Sequence, residues 1–106
     1  MKLVYISSPY RGDEEENSLK ALVYCRWASH QKVIPLAPHV IFTQFLDDEE
    51  ENEREYGITL GLHLLSKCDE LWVMGNKMSK GMEEEIREAL IRGIPVKMVS
   101  DSQVYL

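Results

Sequence analysis

The sequence predicts a three-layer α/β fold in which a parallel sheet of four to five strands carries helices on both faces. Short apolar runs alternate along the chain with longer segments of helical periodicity, and this alternation is typical of a parallel sheet covered by its crossover helices. The chain has 106 residues, the length of one domain, so we expect a single domain spanning residues 1–106.

A turn separates the first predicted strand from the first predicted helix. Lys2–Ser7 has the short apolar character of a buried strand, and Ser8–Gly12 supplies turn residues after it. A helix is predicted from Asp13 to about His30, because acidic residues crowd its first turn and apolar residues recur at helical spacing on one face. Those apolar residues are Leu19, Leu22, Val23 and Trp27.

The middle of the chain holds a weak strand and two helical segments. Val33–Leu36 predicts a second strand, which is weakened by Pro35 because proline cannot donate to a strand ladder. A short helix is predicted from about Val40 to Leu46, and the charge block Asp47–Arg54 is interpreted as a solvated loop or the start of a helix. Apolar residues recur at helical spacing again from Glu55 to Lys67.

The last third of the chain repeats the order of strand, turn, helix and strand. Glu70–Met74 predicts the third strand, and Gly75–Ser79 predicts its turn. A helix is predicted from Lys80 to about Arg92, and Gly93 ends it before a strand at Pro95–Val99.

The charge distribution argues against polymeric nucleic acid as a partner. The formal net charge is −6, and no basic stripe is present that could neutralise a row of phosphates. A small anionic ligand stays compatible with this charge, because a few local donors can outweigh it.

No membrane segment, signal peptide or metal site is indicated. No run of about 18 apolar residues suggests a membrane span, and no h-region with a cleavage site opens the chain, so we expect a cytoplasmic protein. Cys25 and Cys68 are far apart and are interpreted as buried reduced thiols. His30 and His63 have no partner at metal-ligand spacing.

Three loops follow the carboxyl ends of predicted strands, where ligands bind in parallel α/β sheets. The first loop offers the hydroxyls of Ser7 and Ser8, the cation of Arg11, and Gly12 just before a helix. These residues form either an anion cradle or a plain turn with a solvated arginine, and the loop alone favours neither. His39, at the end of the second loop, is either a ligand contact or a structural residue.

The third loop leads into three consecutive glutamates, Glu83–Glu85. Ser79 is placed to cap the helix or to donate to a ligand, and Gly81 allows close approach of the backbone. Acidic residues near a helix N-terminus stabilise it by roughly 0.3–1 kcal/mol each, which is reason enough for their presence. One inward-facing glutamate is also a candidate nucleophile for a glycosidic carbon, and the pattern alone does not say which.

Four segments together resemble the nucleoside 2-deoxyribosyltransferase superfamily, and they occur in the family's order over nearly the whole chain. The likeness is strongest to short phage and bacterial proteins of unassigned function, and more distant to the 2′-deoxynucleoside 5′-phosphate N-hydrolases. The resemblance implies a flavodoxin/Rossmann-like fold. The segments are LVYISSPYRG, PLAPHV, CDELWV and SKGMEEEIREALIRGIPV.

The resemblance also implies roles for individual residues. Gly81, Glu85 and Ala89 fit the family spacing around its nucleophilic glutamate, so Glu85 is implied to attack the anomeric carbon. Ser79 resembles the serine with which the nucleotide hydrolases hold a 5′-phosphate. The resemblance further implies phosphate or sugar contacts at Arg11, Gly12, His39 and Tyr5.

One departure from the family bears on catalysis. The family places an aspartate that assists the leaving base eight residues before the aspartate that opens the third strand, and Gly61 stands there in this chain. Losing an acid/base group typically costs on the order of 10²–10⁴ in rate.

The sequence therefore predicts an enzyme that cleaves or transfers at the N-glycosidic bond of a (deoxy)nucleoside 5′-monophosphate, with no cofactor and with Glu85 ionised by its helix dipole. The alternatives are a non-catalytic nucleotide-binding module on the same fold and a structural or accessory protein. The resemblance implies a homodimer or higher homo-oligomer, for which the helix carrying Gly57 and Gly61 is a plausible contact face.

Overall fold

Four parallel strands form one sheet in the order β2-β1-β3-β4. The computed structural model describes residues 1–106, and Tyr5 of the first strand lies opposite Leu36 on one side and Leu71 on the other. The short second strand is at an edge of the sheet. Pro35 is tolerated there, because an edge strand has a neighbour on one side only and needs no hydrogen bond from the other side. The predicted parallel α/β architecture is confirmed, with four strands. They are β1 (Leu3–Ser7), β2 (Ile34–Leu36), β3 (Glu70–Met74) and β4 (Val96–Val99).

Helices cover both faces of the sheet. Two separate groups of buried side chains, one on each face, form the core: one includes residues of the first helix, and the other includes residues of the third and fourth helices. No helix combines the length and the apolar character needed to cross a membrane. The helices are α1 (Glu14–Ser29), α2 (Pro38–Phe42), α3 (Glu51–Leu65), α4 (Lys80–Arg92) and α5 (Asp101–Val104).

Local capping explains where the helices depart from the predicted bounds. Helix α2 begins two residues before the predicted Val40 because Pro38 occupies its first turn, where proline is favoured. Helix α3 begins within the charge block, because the Glu50 side chain accepts hydrogen bonds from the backbone N–H groups of Asn52 and Glu53. The four-residue α5 is not predicted, since so short a segment leaves no periodic signal.

Strand β1 divides its side chains between the two halves of the core. Val4 and Ile6 are fully buried on the α1 side, and Tyr5 is buried on the side of α3 and α4. Because side chains alternate along a strand, Ser7 faces the same way as Tyr5. Both hydroxyls therefore point towards α4.

Helix α1 does not bury the apolar stripe that its periodicity suggests. Leu19 is 57% exposed and Leu22 is 53% exposed. The buried side is formed by Ala21, Tyr24 and Ala28, whose two small side chains let the helix lie close to the sheet. The Tyr24 hydroxyl donates to Asp101 at 2.7 Å, which ties α1 to the start of α5.

We predict that Gly75→Ala destabilises the protein more than Gly93→Ala. Gly75 has a φ of 87°, and a Cβ there would lie 2.6 Å from the Tyr24 hydroxyl. Left-handed strain of roughly 1–2 kcal/mol then adds to the loss of the part-buried hydrogen bond from Tyr24 to Asp101, for a total of about 2–4 kcal/mol in the free energy of unfolding. Urea denaturation measures this loss.

The matched control is Gly93, which has a φ of 71° and open space within 4 Å of the position that a Cβ would take. Gly93→Ala should therefore show the strain alone, about 1–2 kcal/mol. Equal losses in the two variants would contradict the contact with Tyr24.

Candidate functional site

A cavity of about 300 Å³ opens where the carboxyl end of β1 meets α2, α3 and α4. Its position agrees with the rule that ligands bind beyond the carboxyl ends of parallel strands. Of the predicted site residues, Ser7 and Gly12 lie outside the cavity wall, and Ser7 reaches it only through a hydrogen bond to Glu85. The other predicted residues line it: Tyr5, Ser8, Arg11, His39, Ser79, Gly81 and Glu85.

Two hydroxyls of β1 hold the carboxylate of Glu85. The Tyr5 hydroxyl donates to its Oε2, and the Ser7 Oγ donates to its Oε1 at 2.7 Å. Glu85 faces the sheet because it lies between Met82 and Ala89, which are both buried on the same side of α4. Of the three consecutive glutamates, Glu85 alone makes these contacts.

Burial raises the pKa of Glu85 above its ordinary value of 4.5. The hydrogen bonds from Tyr5 and Ser7 act in the opposite direction because they favour the carboxylate, and the charge of Glu84 raises the pKa further. Burial outweighs the expected support from the helix dipole, since Glu85 lies beyond the first turn of α4, where that field is strongest. Burial and Glu85 together raise the pKa of Tyr5 well above 10, so its hydroxyl stays a donor.

Gly61 allows α3 to approach this pair closely. A Cβ at Gly61 would lie 3.2 Å from the Tyr5 hydroxyl, a distance that forces the hydroxyl to move by a few tenths of an ångström. Gly61 and Gly57 both line the cavity of their own chain. The side of α3 that carries these two glycines is therefore turned towards the cavity.

Two of the anion donors expected in the first loop are already bonded to carboxylates of the protein itself. The Arg11 Nε lies 3.3 Å from the Asp48 Oδ2, and the Gly12 N–H donates to the Glu14 side chain at 2.7 Å. Ser8 differs from both, because it is only 6% exposed and its Oγ has no hydrogen-bond partner.

His39 is neutral near neutral pH. Burial lowers its pKa to about 4, and its Nε2 has no hydrogen-bond partner. The His39 ring lies 5.4 Å from the Tyr10 ring, measured between centroids. A buried polar atom without a partner costs roughly 1–3 kcal/mol, and both such side-chain atoms of this protein, on Ser8 and His39, belong to the cavity wall. Both atoms are therefore available to a polar group that enters the cavity.

The third loop shapes the start of α4. Ser79 is its N-cap and accepts a hydrogen bond from the Met82 N–H at 3.2 Å, which leaves its own hydroxyl hydrogen free to donate. A Cβ at Gly81 would meet only the Ser79 Oγ, at 3.9 Å, so no close packing requires glycine there.

Sequence reasoning missed part of the cavity wall. Arg54 could have been predicted as a wall residue, because it lies seven residues before Gly61 and so on the same side of α3. Asp48 could not have been predicted, since its pairing with Arg11 joins two loops that are distant in the sequence. The wall residues not singled out include Tyr10, Phe42, Leu46, Asp48, Arg54 and Ile58.

The side chains of the site fit an organic ligand better than a metal ion. No group of three or more His, Cys, Asp or Glu side chains is arranged to hold a metal ion. Both cysteines are free thiols, and burial raises the pKa of each to about 11, so they are protonated near neutral pH.

Comparisons with known proteins give a family and a fold. A family model described as "Domain of unknown function (DUF7768)" matches residues 2–99. No curated protein matches the sequence. Among solved structures, the chain is similar to a 2-deoxyribosyltransferase from the psychrotolerant bacterium Bacillus psychrosaccharolyticus, with a TM-score of 0.70 and 17% identity over 92% of this chain and 72% of the other. At this identity the likeness shows a shared fold.

We predict that Glu85→Gln gains stability relative to wild type as the pH rises. The raised pKa means that the folded protein binds a proton at Glu85 that the unfolded chain releases near pH 4.5. Above that pH the wild type therefore loses stability until Glu85 ionises in the folded state, and the variant does not.

The measurement is urea denaturation of both proteins between pH 4 and pH 8. The difference in unfolding free energy, variant minus wild type, should increase with pH. A difference that stays constant or decreases would mean that the pKa of Glu85 is not raised.

Proposed function

The chain belongs to the DUF7768 family, and we propose that it is an enzyme acting on the N-glycosidic bond of a (deoxy)nucleoside 5′-monophosphate, with Glu85 as its nucleophile. The observation that carries this proposal is the carboxylate of Glu85, which is fixed by two hydroxyls of β1 in the wall of a cavity. The cavity volume of about 300 Å³ is at the lower end of the range for small-molecule sites.

In the proposed reaction, one Glu85 oxygen attacks C1′ of the sugar while the bond from C1′ to the base nitrogen breaks. The bonding electrons leave with the base, which takes a proton from solvent, and a covalent glycosyl ester remains on Glu85. Water or a second base then attacks C1′, gives up a proton to solvent, and releases Glu85 as the carboxylate. The hydroxyls of Tyr5 and Ser7 orient Glu85 and stabilise its charge when it leaves.

The remaining wall residues supply contacts to the substrate. The Oγ of Ser8 and the Nε2 of the neutral His39 are unpartnered and are assigned to hydroxyl or phosphate oxygens. Arg11 and Ser79 are assigned to the phosphate, Tyr5 to the sugar pocket, and Gly81 to the adjoining backbone. Gly12 would join the phosphate contacts only if its N–H leaves the Glu14 side chain. The reaction calls for no metal or organic cofactor.

The fold supports this choice of chemistry, since a protein with a similar fold is a 2-deoxyribosyltransferase. The partner is then a small nucleotide or nucleoside, in agreement with a net charge of −6 that disfavours polymeric nucleic acid. A homodimer or higher homo-oligomer and a cytoplasmic location are parts of the same proposal.

We predict that wild-type protein releases free base from at least one 2′-deoxynucleoside 5′-monophosphate, and that Glu85→Gln does so at least about 10³-fold more slowly. An amide is a poor nucleophile but nearly matches the carboxylate in shape. Base release by liquid chromatography measures both rates.

Glu84→Gln is the matched control, because it removes the same charge from the neighbouring wall position. It should keep activity within about tenfold, since Glu84 makes none of the β1 contacts. Equal rates for wild type and Glu85→Gln would exclude Glu85 as the nucleophile.

We predict that Tyr5→Phe moves the acidic limb of the kcat/KM profile to higher pH. The reaction needs ionised Glu85, so wild-type activity should rise with pH above 4.5. The Tyr5 hydrogen bond lowers the pKa of Glu85, and removing it raises that pKa further. A limb that stays in place or moves to lower pH would show that Tyr5 does not support the carboxylate.

Gly61 favours a second function, a nucleotide-binding module without catalysis. At this position the nucleoside 2-deoxyribosyltransferase superfamily usually has an aspartate. Gly61 has no carboxylate, and the 3.2 Å approach of a Cβ to the Tyr5 hydroxyl leaves little room for one. Thermal shift measurements with the same nucleotides separate the two functions. Stabilisation without base release supports the binding module, and stabilisation with release supports the enzyme.

A further inference from the structure

The cavity wall carries three cationic side chains in different states. Arg11 is paired with Asp48, and Lys80 is exposed at the first position of α4. Arg54 is partly buried, and its guanidinium makes no ion pair and no side-chain hydrogen bond with any other residue. A guanidinium with five donors is therefore left without a partner in the wall of a cavity.

Arg54 lies on the cavity side of α3 at a distance from Glu85. Seven residues separate it from Gly61, which corresponds to about 10 Å along the helix axis, and Gly61 contacts the Tyr5 hydroxyl that holds Glu85. Gly57 lies between them on the same side and keeps the groove open. The two ends of the cavity thus carry different chemistry: a carboxylate at one end and an unpaired cation towards the other.

Acidic side chains restrict where an anion could bind elsewhere in the cavity. Glu84 and Glu85 of α4 are wall residues, and each repels a negatively charged group placed beside it. Glu53, the sequence neighbour of Arg54, also lines the wall, but its carboxylate accepts the Asp47 N–H at 3.0 Å and makes no ion pair with Arg54. Asp48 lies in the wall too and already neutralises Arg11. The favourable position for an anionic group is therefore close to Arg54, whose planar fork matches two oxygens of a phosphate.

We propose that Arg54 is the residue by which the cavity selects a ligand with a phosphate monoester over its unphosphorylated counterpart. This assignment rests on the proposed function for the choice of nucleotides as ligands. It makes Arg54 a specificity-determining residue and gives Arg11, held by Asp48, the smaller share of phosphate binding.

The test is a comparison of binding affinities by calorimetry. All variants are made in the Glu85→Gln background, so that no turnover occurs, and are titrated with the four 2′-deoxynucleoside 5′-monophosphates and the four matching 2′-deoxynucleosides. Arg54→Gln should raise the Kd of the nucleotides about 10- to 100-fold and leave the Kd of the nucleosides within about twofold. Arg54→Lys should recover part of the loss, because it keeps the charge without the fork.

The matched control is Arg26→Gln, which removes the same charge from an exposed position on α1 outside the cavity. It should leave both sets of affinities unchanged. The assignment is overturned if Arg54→Gln weakens nucleosides and nucleotides equally, which would place the base or sugar at Arg54. It is overturned as well if nucleotide affinity does not change or if the parent protein binds no nucleotide.

Binding and catalysis fail separately in this design. Absence of base release from wild-type protein would remove the proposed nucleophile while the dependence of nucleotide affinity on Arg54 still stands. Base release without that dependence would keep the enzyme and remove the role of Arg54.

Discussion

The site depends on the contact between Glu85 and the hydroxyls of Tyr5 and Ser7. A buried carboxylate is costly unless its oxygens are hydrogen-bonded. Here the periodicity of a strand positions the two donors, and the periodicity of a helix positions the carboxylate. Alternation along β1 turns both hydroxyls to one face, and helical spacing places Glu85 between two buried residues of α4. The contact therefore exists only when β1 and α4 pack in the native register, which makes the site a direct product of the core.

Helix α3 has a glycine, Gly61, where it passes this contact. With glycine at position 61, the helix backbone reaches the Tyr5 hydroxyl, and the space that a side chain would fill stays part of the cavity. Glycine at this position therefore favours close packing of α3 against Tyr5 over a side chain directed into the cavity.

The regular parts of the structure were predictable, and the contacts between loops were not. Apolar runs such as the one in Lys2–Ser7 predicted the parallel sheet because burial on both faces demands them. The structure singles out Glu85 by its buried neighbours Met82 and Ala89, whereas the sequence singled it out only through the family resemblance. The pairing of Arg11 with Asp48 could not be predicted from either loop alone. The buried side of α1 was predicted wrongly, because small alanines and not the leucines pack against the sheet. Periodicity reports which residues share a face, but packing decides which face is buried.

Electrostatics explains how an acidic chain could bind the nucleotide proposed above. A net charge of −6 sets the long-range field, whereas binding at the cavity depends on groups within a few ångströms. The ion pair of Arg11 with Asp48 removes one local cation from use, and Glu53 and Glu84 make most of the wall unfavourable for negative charge. In the proposed complex the phosphate must also stay away from the carboxylate of Glu85, so its attraction would come from the part of the wall near the N-terminal end of α3. Arg54 is the cation that occupies this position without a partner of its own.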